Sequence, residues 1–457
     1  MKTKLLLFFC WLATAAQAQR PQQLMPEKTR LLLVLDASGS MLSKWDNDLR
    51  INIAKDKIAA FVDSLRRNPN VEMALRVYGH QFDSKQKNCT DSKLEVGFAA
   101  NNHVQIKAAL TRIAPKGTTP IAYSLEQAIK DFPPEGNYRN VIIMITDGIE
   151  ACGGDPCAIS LGLQKNGIAL KPFIIGLGVG KDFTAAFNCV GKAYDARSAA
   201  DFQAILGAIS RQILGRTTVT VELTDAADKP IEKDVNMTFI NNVTGKAIYD
   251  LIHFRDTRGR TDTLVIDPVI NYDIEVGTIP VILKKDVQIE GGKHNVIRIR
   301  APQGLLTFKM QTPKEYGNLK AIIRQAGKSE TLYVQEVGTS QRYLAGNYDV
   351  EVLTTPRTLV RNVTVRQGQT TEVPIEQPGI LTLNHYYSGI ASLYKLNAEG
   401  QEWIENYTLE GKVANIAMQP GNYKIVFRAN EAKGAVYTVF KRFTIQGGKS
   451  VTVDVLK

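Results

Sequence analysis

The sequence lacks the local motifs of the commonest enzyme sites. No HExxH zinc-binding helix, no G-x-S-x-G nucleophile turn and no phosphate-binding P-loop occurs in its 457 residues, which disfavours the enzyme classes that depend on them. It also lacks a nucleic-acid-binding motif, and its Lys and Arg residues are scattered instead of forming one tract. We therefore expect neither catalysis nor nucleic-acid binding.

Long hydrophobic runs are also scarce. The apolar stretch Leu5–Ala13 follows a lysine-containing head and precedes the small-residue site Ala16-Gln17-Ala18, the pattern of a secretory signal cut before Gln19. It is too short for a permanent anchor, and no later segment is long enough to span a membrane. We expect residues 1–18 to be a signal peptide and 19–29 a lead-in. The predicted location is exported and soluble: periplasmic, cell-surface or extracellular, in a bacterium.

Cysteine is rare as well, with only four residues outside the signal peptide, all in the first half of the chain. An even number in an exported chain indicates two disulfides within one domain. We expect Cys89 to pair with Cys152 or Cys157, and Cys189 to take the other. A local Cys152–Cys157 bridge is an alternative, since sequence does not fix connectivity.

Acidic residues are outnumbered. The formal net charge of +11 becomes +9 once Lys2 and Lys4 leave with the signal peptide. Such a balance favours acidic partners or an anionic envelope surface, but because the charges are scattered we prefer to interpret them as a solvated surface. The hydrophobic content of 44% and charged content of 22% are globular values, and the length predicts three or four domains.

The chain is organised around the stretch LLLVLDASGSM, residues 31–41. Its five apolar residues predict a strand buried on both faces, as in a central parallel strand. Asp36, Ser38 and Ser40 follow at alternate positions, so one carboxylate and two hydroxyls can converge. Three hard oxygens suit Mg²⁺, although Asp and Ser also serve as ordinary turn and cap residues.

Two later segments complete a pattern. Thr119 precedes Pro120 and a run with helical spacing, which makes Thr119 the expected N-cap of a helix. Asp147 follows a second buried strand, residues 141–145. Ligands of parallel sheets lie at the carboxyl ends of the strands, where both Asp36 and Asp147 are expected.

These residues resemble the metal-ion-dependent adhesion site of the von Willebrand factor type A (VWA) family. Asp36, Ser38 and Ser40 match the family's D-x-S-x-S, Thr119 its threonine and Asp147 its second aspartate. The resemblance implies a bound Mg²⁺, with Mn²⁺ or Ca²⁺ as alternatives. It implies that the first three residues coordinate directly, and that the last two do so directly or through water.

Residues 30–216 alternate strand and helix patterns, which predicts an α/β, Rossmann-like domain with a mostly parallel sheet covered by helices on both faces. The CGGDPC segment after Asp147 and the RVYGH stretch resemble a group of secreted bacterial VWA proteins named calcium-activated-chloride-channel-like. We expect His80 to be a structural or rim residue and not a metal ligand.

From Thr217 onward the helical periodicity disappears and an internal repeat begins. Asn-Tyr pairs end at Tyr272, Tyr348 and Tyr423, spaced by 76 and 75 residues, each entering a Val/Ile strand. These units predict three small all-β sandwiches similar to carboxypeptidase-regulatory, transthyretin-like or immunoglobulin-like modules. We place them at 217–302, 303–377 and 378–457, and expect the three tyrosines to be core or corner residues.

The resemblance implies an exported, metal-dependent adhesion protein. Its bound cation would take an Asp or Glu carboxylate from a protein partner, and the β repeats would act as a spacer or scaffold. The alternatives are a structural component of the cell envelope and a glycan-binding array. A cluster of exposed aromatic residues on one repeat would favour glycan binding.

Overall fold

The computed structural model describes residues 28–135, 138–168, 171–311 and 313–456. The predicted signal peptide and nearly all of the lead-in lie outside the described residues. The chain divides into two compact units. The first contains the described residues up to Thr218 with Leu264–Asn271 and Gln288–His294, and the second contains Val219–Thr263, Tyr272–Val287 and the chain from Asn295 onward.

A six-stranded sheet forms the centre of the first unit, in the order β5-β4-β1-β6-β7-β8. Its strands are β1 (Lys28–Asp36), β4 (Val71–Tyr78), β5 (Ser92–Ala99), β6 (Tyr138–Thr146), β7 (Phe173–Leu177) and β8 (Lys192–Ala196). Neighbouring strands run parallel except β4 and β5. A short hairpin, β2 (Lys44–Trp45) and β3 (Asp48–Leu49), follows β1.

Helices cover both faces of this sheet. They are α1 (Arg50–Leu65), α2 (His103–Arg112), α3 (Ile121–Asp131), α4 (Pro156–Lys165), α5 (Lys181–Phe187) and α6 (Ala199–Leu214). Alternate residues of β1 point to opposite faces of the sheet. Leu33 packs in a core with α1, α2 and α6, and Leu32 packs in a second core with α3, α4 and α5. Because β1 is buried on both faces, its central residues 31–35 are all apolar. The predicted α/β fold is confirmed.

Residues 192–196, for which the sequence pattern predicts no element, form the edge strand β8. Its pattern KAYDA offers few apolar residues, because it is an edge strand with only one neighbouring strand in the sheet.

A buried ion pair joins a segment after α6 to the core of the first unit. Asp267 and Val269 lie within Leu264–Asn271, and Val269 belongs to the same hydrophobic core as β1. Arg139, on β6, donates from Nε and Nη2 to the two carboxylate oxygens of Asp267, and both side chains are more than nine-tenths buried. The first unit therefore includes residues beyond position 216.

The strands of the three predicted repeats alternate with turns. Repeat 1 contains β9 (Thr218–Thr224), β10 (Val235–Asn241), β11 (Ala247–His253), β12 (Leu264–Val265), β13 (Tyr272–Val276), β14 (Ile282–Val287) and β15 (His294–Arg300). Repeat 2 contains β16 (Gln303–Lys309), β17 (Lys320–Gln325), β18 (Thr331–Glu336), β19 (Ser340–Leu344), β20 (Gly346–Val352), β21 (Thr358–Val365) and β22 (Thr370–Pro374). Repeat 3 contains β23 (Gly379–Asn384), β24 (Gly389–Asn397), β25 (Gly400–Leu409), β26 (Val413–Met418), β27 (Gly421–Ala429), β28 (Val439–Ile445) and β29 (Ser450–Asp454).

Each repeat contains a four-stranded antiparallel sheet: β11-β10-β13-β14, β18-β17-β20-β21 and β25-β24-β27-β28. Repeats 2 and 3 add three-stranded sheets, β19-β16-β22 and β26-β23-β29. Tyr272, Tyr348 and Tyr423 are buried, as predicted. The hydroxyls of Tyr348 and Tyr423 donate to the carbonyls of Leu344 (2.7 Å) and Gln419 (2.8 Å), so each tyrosine is hydrogen-bonded to the turn before its strand. Among the described residues, no helix has the length and apolarity needed to cross a membrane.

Candidate metal centre

Two of the predicted metal ligands lie where two central strands end. Asp36 is the last residue of β1, and Asp147 directly follows β6, the parallel neighbour of β1. Both carboxylates are shielded from solvent. The carboxyl ends of adjacent parallel strands meet at one edge of a sheet, so residues distant in sequence converge there.

Four of the five predicted residues form one chain of hydrogen bonds. The backbone N–H of Ser38 donates to Asp36 Oδ1 over 2.7 Å. The Ser38 and Ser40 hydroxyl oxygens lie 3.0 Å apart, and the Ser40 hydroxyl donates to Asp147 Oδ1 over 2.7 Å. The motif's alternate spacing thus brings the two serine hydroxyls together.

These oxygen spacings suit a small octahedral cation. Mg²⁺ binds oxygens at about 2.0–2.1 Å, so two adjacent ligands of an octahedron lie about 2.8–3.0 Å apart. The hydroxyl oxygens of Ser38 and Ser40 have this separation. Across the described ranges, this site included, no group of three or more His, Cys, Asp or Glu side chains is arranged to hold a metal, so hydroxyl oxygens would have to supply the rest of the ligand set here. The residues of this site therefore fit the ion that the motif implies.

Thr119 reaches the same edge on a separate loop. Gly39 donates from its backbone to Gly117 (3.0 Å), and Lys116 donates to Ala37 (3.1 Å), so the loop before Thr119 is held against the D-x-S-x-S segment. The Thr119 hydroxyl makes no hydrogen bond to the other four residues within the part of the chain that the structure describes. The loop places Thr119 beside the chain of hydrogen bonds and not within it.

The helix after Thr119 begins differently from the prediction. Pro120 occupies the cap position of α3 and Thr119 precedes it, so the expectation that Thr119 is the N-cap is wrong by one residue. Glu150 provides the missing acceptor: its Oε2 accepts from the backbone N–H of Ala122 over 2.6 Å. A carboxylate at a helix N-terminus satisfies an orphan donor and complements the helix dipole. Thr119 is consequently not required for capping.

A glycine allows these loops to approach. Gly79, in the RVYGH stretch, has a left-handed φ of 71°, and a Cβ there would lie 2.6 Å from the Thr118 carbonyl and 2.8 Å from the Ser38 nitrogen. Only glycine fits this position without displacing backbone on both sides. His80 follows and contacts Glu95 (Nε2 to Oε1, 3.0 Å), consistent with the predicted rim or structural role.

Arg50 is a member of the site that sequence reasoning missed. From the first residue of α1 its Nη1 donates to Asp147 Oδ2 over 3.2 Å, and its Nε donates to the carbonyl of Leu177. The pair is mostly shielded from solvent. No local pattern marks this arginine, because 97 residues separate it from Asp147.

Asp36 is held in a dry environment. Its burial raises the pKa of the carboxyl to about 6, the Asp147 charge adds to the rise, and hydrogen bonds from Ser38 and Thr146 oppose it. Thr146 Oγ1 donates to Asp36 Oδ2 over 2.7 Å. Each carboxylate oxygen thus keeps one acceptor position, since an ionised carboxylate has about four lone-pair sites.

Two disulfides fasten the loops around this edge. Cys89 bonds to Cys152 and Cys157 to Cys189, one of the predicted pairings, and the local Cys152–Cys157 bridge is not formed. Cys152 follows Asp147, and the Cys89 loop contacts the Thr119 loop because Thr118 Oγ1 donates to the carbonyl of Asn88 over 3.0 Å. The first disulfide therefore connects the segment after Asp147 to the Cys89 loop, which in turn contacts the loop that carries Thr119.

Comparison with known proteins identifies the family of the first unit. Residues 31–150 match the model of the von Willebrand factor type A domain family. The uncharacterised protein YwmC of Bacillus subtilis (strain 168) is 31% identical over 191 residues, which cover 41% of this chain and 82% of YwmC. The chain belongs to the VWA domain family.

Solved structures give more distant likenesses. An aerotolerance-related membrane protein from Bacteroides fragilis NCTC 9343 is 24% identical, with 32% of this chain and 67% of that chain covered and a TM-score of 0.27. The pilus adhesin SpaC from Lactobacillus rhamnosus GG is 10% identical, with 94% and 87% covered and a TM-score of 0.35. These values describe similarity of fold only.

Proposed function

We propose that this is an exported protein-interaction protein whose VWA domain binds a carboxylate of a partner protein through a divalent cation. Asp36, Ser38, Ser40, Thr119 and Asp147 would hold the cation, with Mg²⁺ favoured. The observation that carries the proposal is the hydrogen-bonded connection at the carboxyl edge of the sheet, which runs from Asp36 through the Ser38 backbone N–H and the Ser38 and Ser40 hydroxyls to Asp147.

The charge of the site favours an anionic partner. Asp36 and Asp147 contribute two negative charges and Arg50 one positive charge, so the site alone is −1 and a bound divalent cation makes it +1. Few carboxylates around the ion leave it attractive to one further anionic oxygen. An Asp or Glu side chain from a partner would supply that oxygen in a charge-assisted contact within a partly desolvated interface.

Membership of the VWA domain family supports a role in protein interaction. VWA domains are generally protein-interaction modules, and the two disulfides of the first unit are consistent with an oxidising compartment. Nothing in the site or the relatives indicates catalysis. In this proposal the three β repeats act as a spacer or scaffold, and an anionic envelope surface is a secondary partner.

Titration calorimetry on the full chain tests metal binding. Wild type is expected to bind Mg²⁺ or Mn²⁺, and Asp36→Asn to lose that binding while staying folded. The folding expectation follows because Thr146 can accept from the new amide and donate instead to the carbonyl of Gly148, 3.2 Å away. Asp56→Asn, at an exposed position on α1, is the matched control and should bind as wild type does.

Partner binding is tested by capture from envelope extract on immobilised full-length protein, with and without EDTA. A protein retained only when divalent cations are present, and lost with Asp36→Asn, is the expected result. Equal metal affinity in wild type and Asp36→Asn would contradict the site assignment. Capture that ignores both EDTA and the substitution would contradict metal-mediated recognition and favour a structural envelope role.

A further inference from the structure

Repeat 3 presents an aromatic and cationic face to solvent. In its four-stranded sheet, alternate residues such as Leu393, Ile425 and Phe443 point inward and are buried. The intervening positions share the opposite side of the sheet. We name as the repeat-3 outer face the following residues on that side: Tyr394, Trp403, Lys424, Val426, Phe440 and Arg442.

Strand pairing arranges these residues in two rows. Tyr394 lies opposite both Trp403 and Lys424, and Lys424 lies opposite Arg442. In the next row Val426 lies opposite Phe440. Trp403 is 55% exposed and Phe440 is 61% exposed, far more than large aromatic side chains that pack in a hydrophobic core. Paired rows on a sheet form a continuous surface, since neighbouring strands are about 4.8 Å apart.

Polar contacts hold the aromatic rings in place. Lys424 Nζ lies 4.8 Å from the centroid of the Tyr394 ring and 5.9 Å from that of Phe440. Trp403 Nε1 donates to Asn406 Oδ1 over 3.0 Å, and Ser392 Oγ donates to the same oxygen over 2.7 Å. The indole is therefore oriented before any ligand arrives, which lowers the entropy cost of binding.

The other repeats lack this face at the equivalent strand. After the Asn-Tyr pair, repeat 1 has Asp-Ile-Glu-Val and repeat 2 has Asp-Val-Glu-Val, whereas repeat 3 has Lys-Ile-Val-Phe. In repeat 2, Glu351 is neutralised by Arg324 and Arg357 at 2.8 and 2.5 Å. In the described part of repeat 3, neither Lys424 nor Arg442 forms an ion pair. The shared fold thus does not require the aromatic and cationic residues of repeat 3.

We propose that the repeat-3 outer face binds a carboxylated polysaccharide. The apolar C–H faces of sugar rings would stack on Trp403, Tyr394 and Phe440, and the sugar carboxylates would pair with Lys424 and Arg442. Aromatic side chains beside polar groups suit a ligand with an apolar face and a polar rim. The uncompensated positive charge selects an anionic polymer over a neutral one. An open sheet face suits an extended chain.

Binding of polygalacturonate oligomers of uniform length to the full chain tests the proposal. It is measured by calorimetry and tryptophan fluorescence in EDTA, which removes cations that cross-link the polymer and inactivates the proposed metal site. Two polymers serve as probes of the chemistry: neutral dextran and poly-L-glutamate, which has carboxylates without sugar rings. The expected order of affinity places polygalacturonate first and dextran last.

Variants separate stacking from charge. Trp403→Ala and Lys424→Gln are each expected to weaken polygalacturonate binding by about fivefold to tenfold, and Trp403→Phe to retain part of the affinity because it keeps a ring. Phe254→Ala and Lys328→Gln, at exposed positions in repeats 1 and 2, are the matched controls and should bind as wild type does.

Three results would overturn the proposal. The first is no binding of polygalacturonate, and the second is binding that Trp403→Ala leaves unchanged. The third is poly-L-glutamate binding as tightly as polygalacturonate, which would identify a surface for acidic proteins. None of these results would bear on the metal centre, since the assay is done in EDTA.

Discussion

The substitution Asp36→Asn is predicted to stabilise the metal-free protein while abolishing its response to metal. Burial raises the pKa of Asp36 from 3.8 to about 6. Such a shift corresponds to about 3 kcal/mol, because each pKa unit is worth about 1.4 kcal/mol. The ionised carboxylate therefore costs the folded protein up to about 3 kcal/mol at neutral pH. Asparagine removes that cost but weakens the bond from the Ser38 N–H, leaving a net gain of about 1–3 kcal/mol.

The sign of the pH dependence follows from the same shift. Between about pH 4 and pH 6 the unfolded chain has lost the Asp36 proton and the folded chain still holds it. Stability therefore falls as pH rises through this window and becomes level above it. In Asp36→Asn no carboxyl titrates at this position, so this contribution to the decrease in stability with pH is absent. The difference between the two proteins is thus expected to be small at pH 4 and largest at pH 7.

Urea unfolding in EDTA and in excess Mg²⁺ measures both effects. Trp45 is buried in the first unit and Trp403 is exposed, so the fluorescence change reports mainly on the first unit. A single two-state fit to the whole chain is inappropriate for a protein with two units. Wild type should gain about 2.7 kcal/mol from Mg²⁺ at one hundred times its Kd, and the variant nothing. An Asp36→Asn protein that is no more stable in EDTA and gains as much from Mg²⁺ would refute the reasoning.

Further substitutions test the surroundings of the site. Arg50→Gln removes a positive charge beside the metal position and the hydrogen bonding of about 1.5 kcal/mol by which Arg50 competes with the ion for Asp147. Calorimetry should therefore show Mg²⁺ binding about tenfold tighter, and unchanged or weaker binding would argue against this role. Asp267→Asn leaves Arg139 buried without a charged partner and should destabilise the first unit by about 3–5 kcal/mol in urea, whereas Arg139→Met with Asp267→Leu should recover most of the loss. Replacing Cys89 and Cys152 by Ser removes a cross-link spanning 63 residues, and the first unit should lose up to about 4 kcal/mol; a loss below about 1 kcal/mol would show that the loop is held by other contacts.

The central part of the fold and site followed from the sequence because both depend on local patterns. Continuous apolar strands identified a sheet covered on two faces, and the D-x-S-x-S spacing placed Ser38 and Ser40 within hydrogen-bonding distance of each other. The strand-end position of Asp147 brought it to the same edge. Each of these inferences needs only the periodicity of a strand and the geometry of a parallel sheet.

Interactions set by tertiary structure could not be predicted in this way. Arg50 contacts Asp147, Glu150 caps the helix after Thr119, and Asp267 neutralises Arg139, each over a long separation in sequence. A charged residue in a polar stretch of sequence gives the same local pattern whether or not a distant residue pairs with it in the fold. The aromatic face of repeat 3 is an intermediate case, because the change from Asp-Ile-Glu-Val to Lys-Ile-Val-Phe is visible in the repeats, but its pairing with Trp403 needs the strand register.

Anomalous diffraction from crystals of the full chain grown with Mn²⁺ tests the proposed metal centre, because it locates the ion. We expect one strong peak at the carboxyl edge of the sheet. It should lie within coordination distance of Asp36 and the hydroxyls of Ser38 and Ser40, with Thr119 and Asp147 contacting it directly or through water. A first unit without a peak at this edge, or with its peak outside this set of residues, would contradict the account.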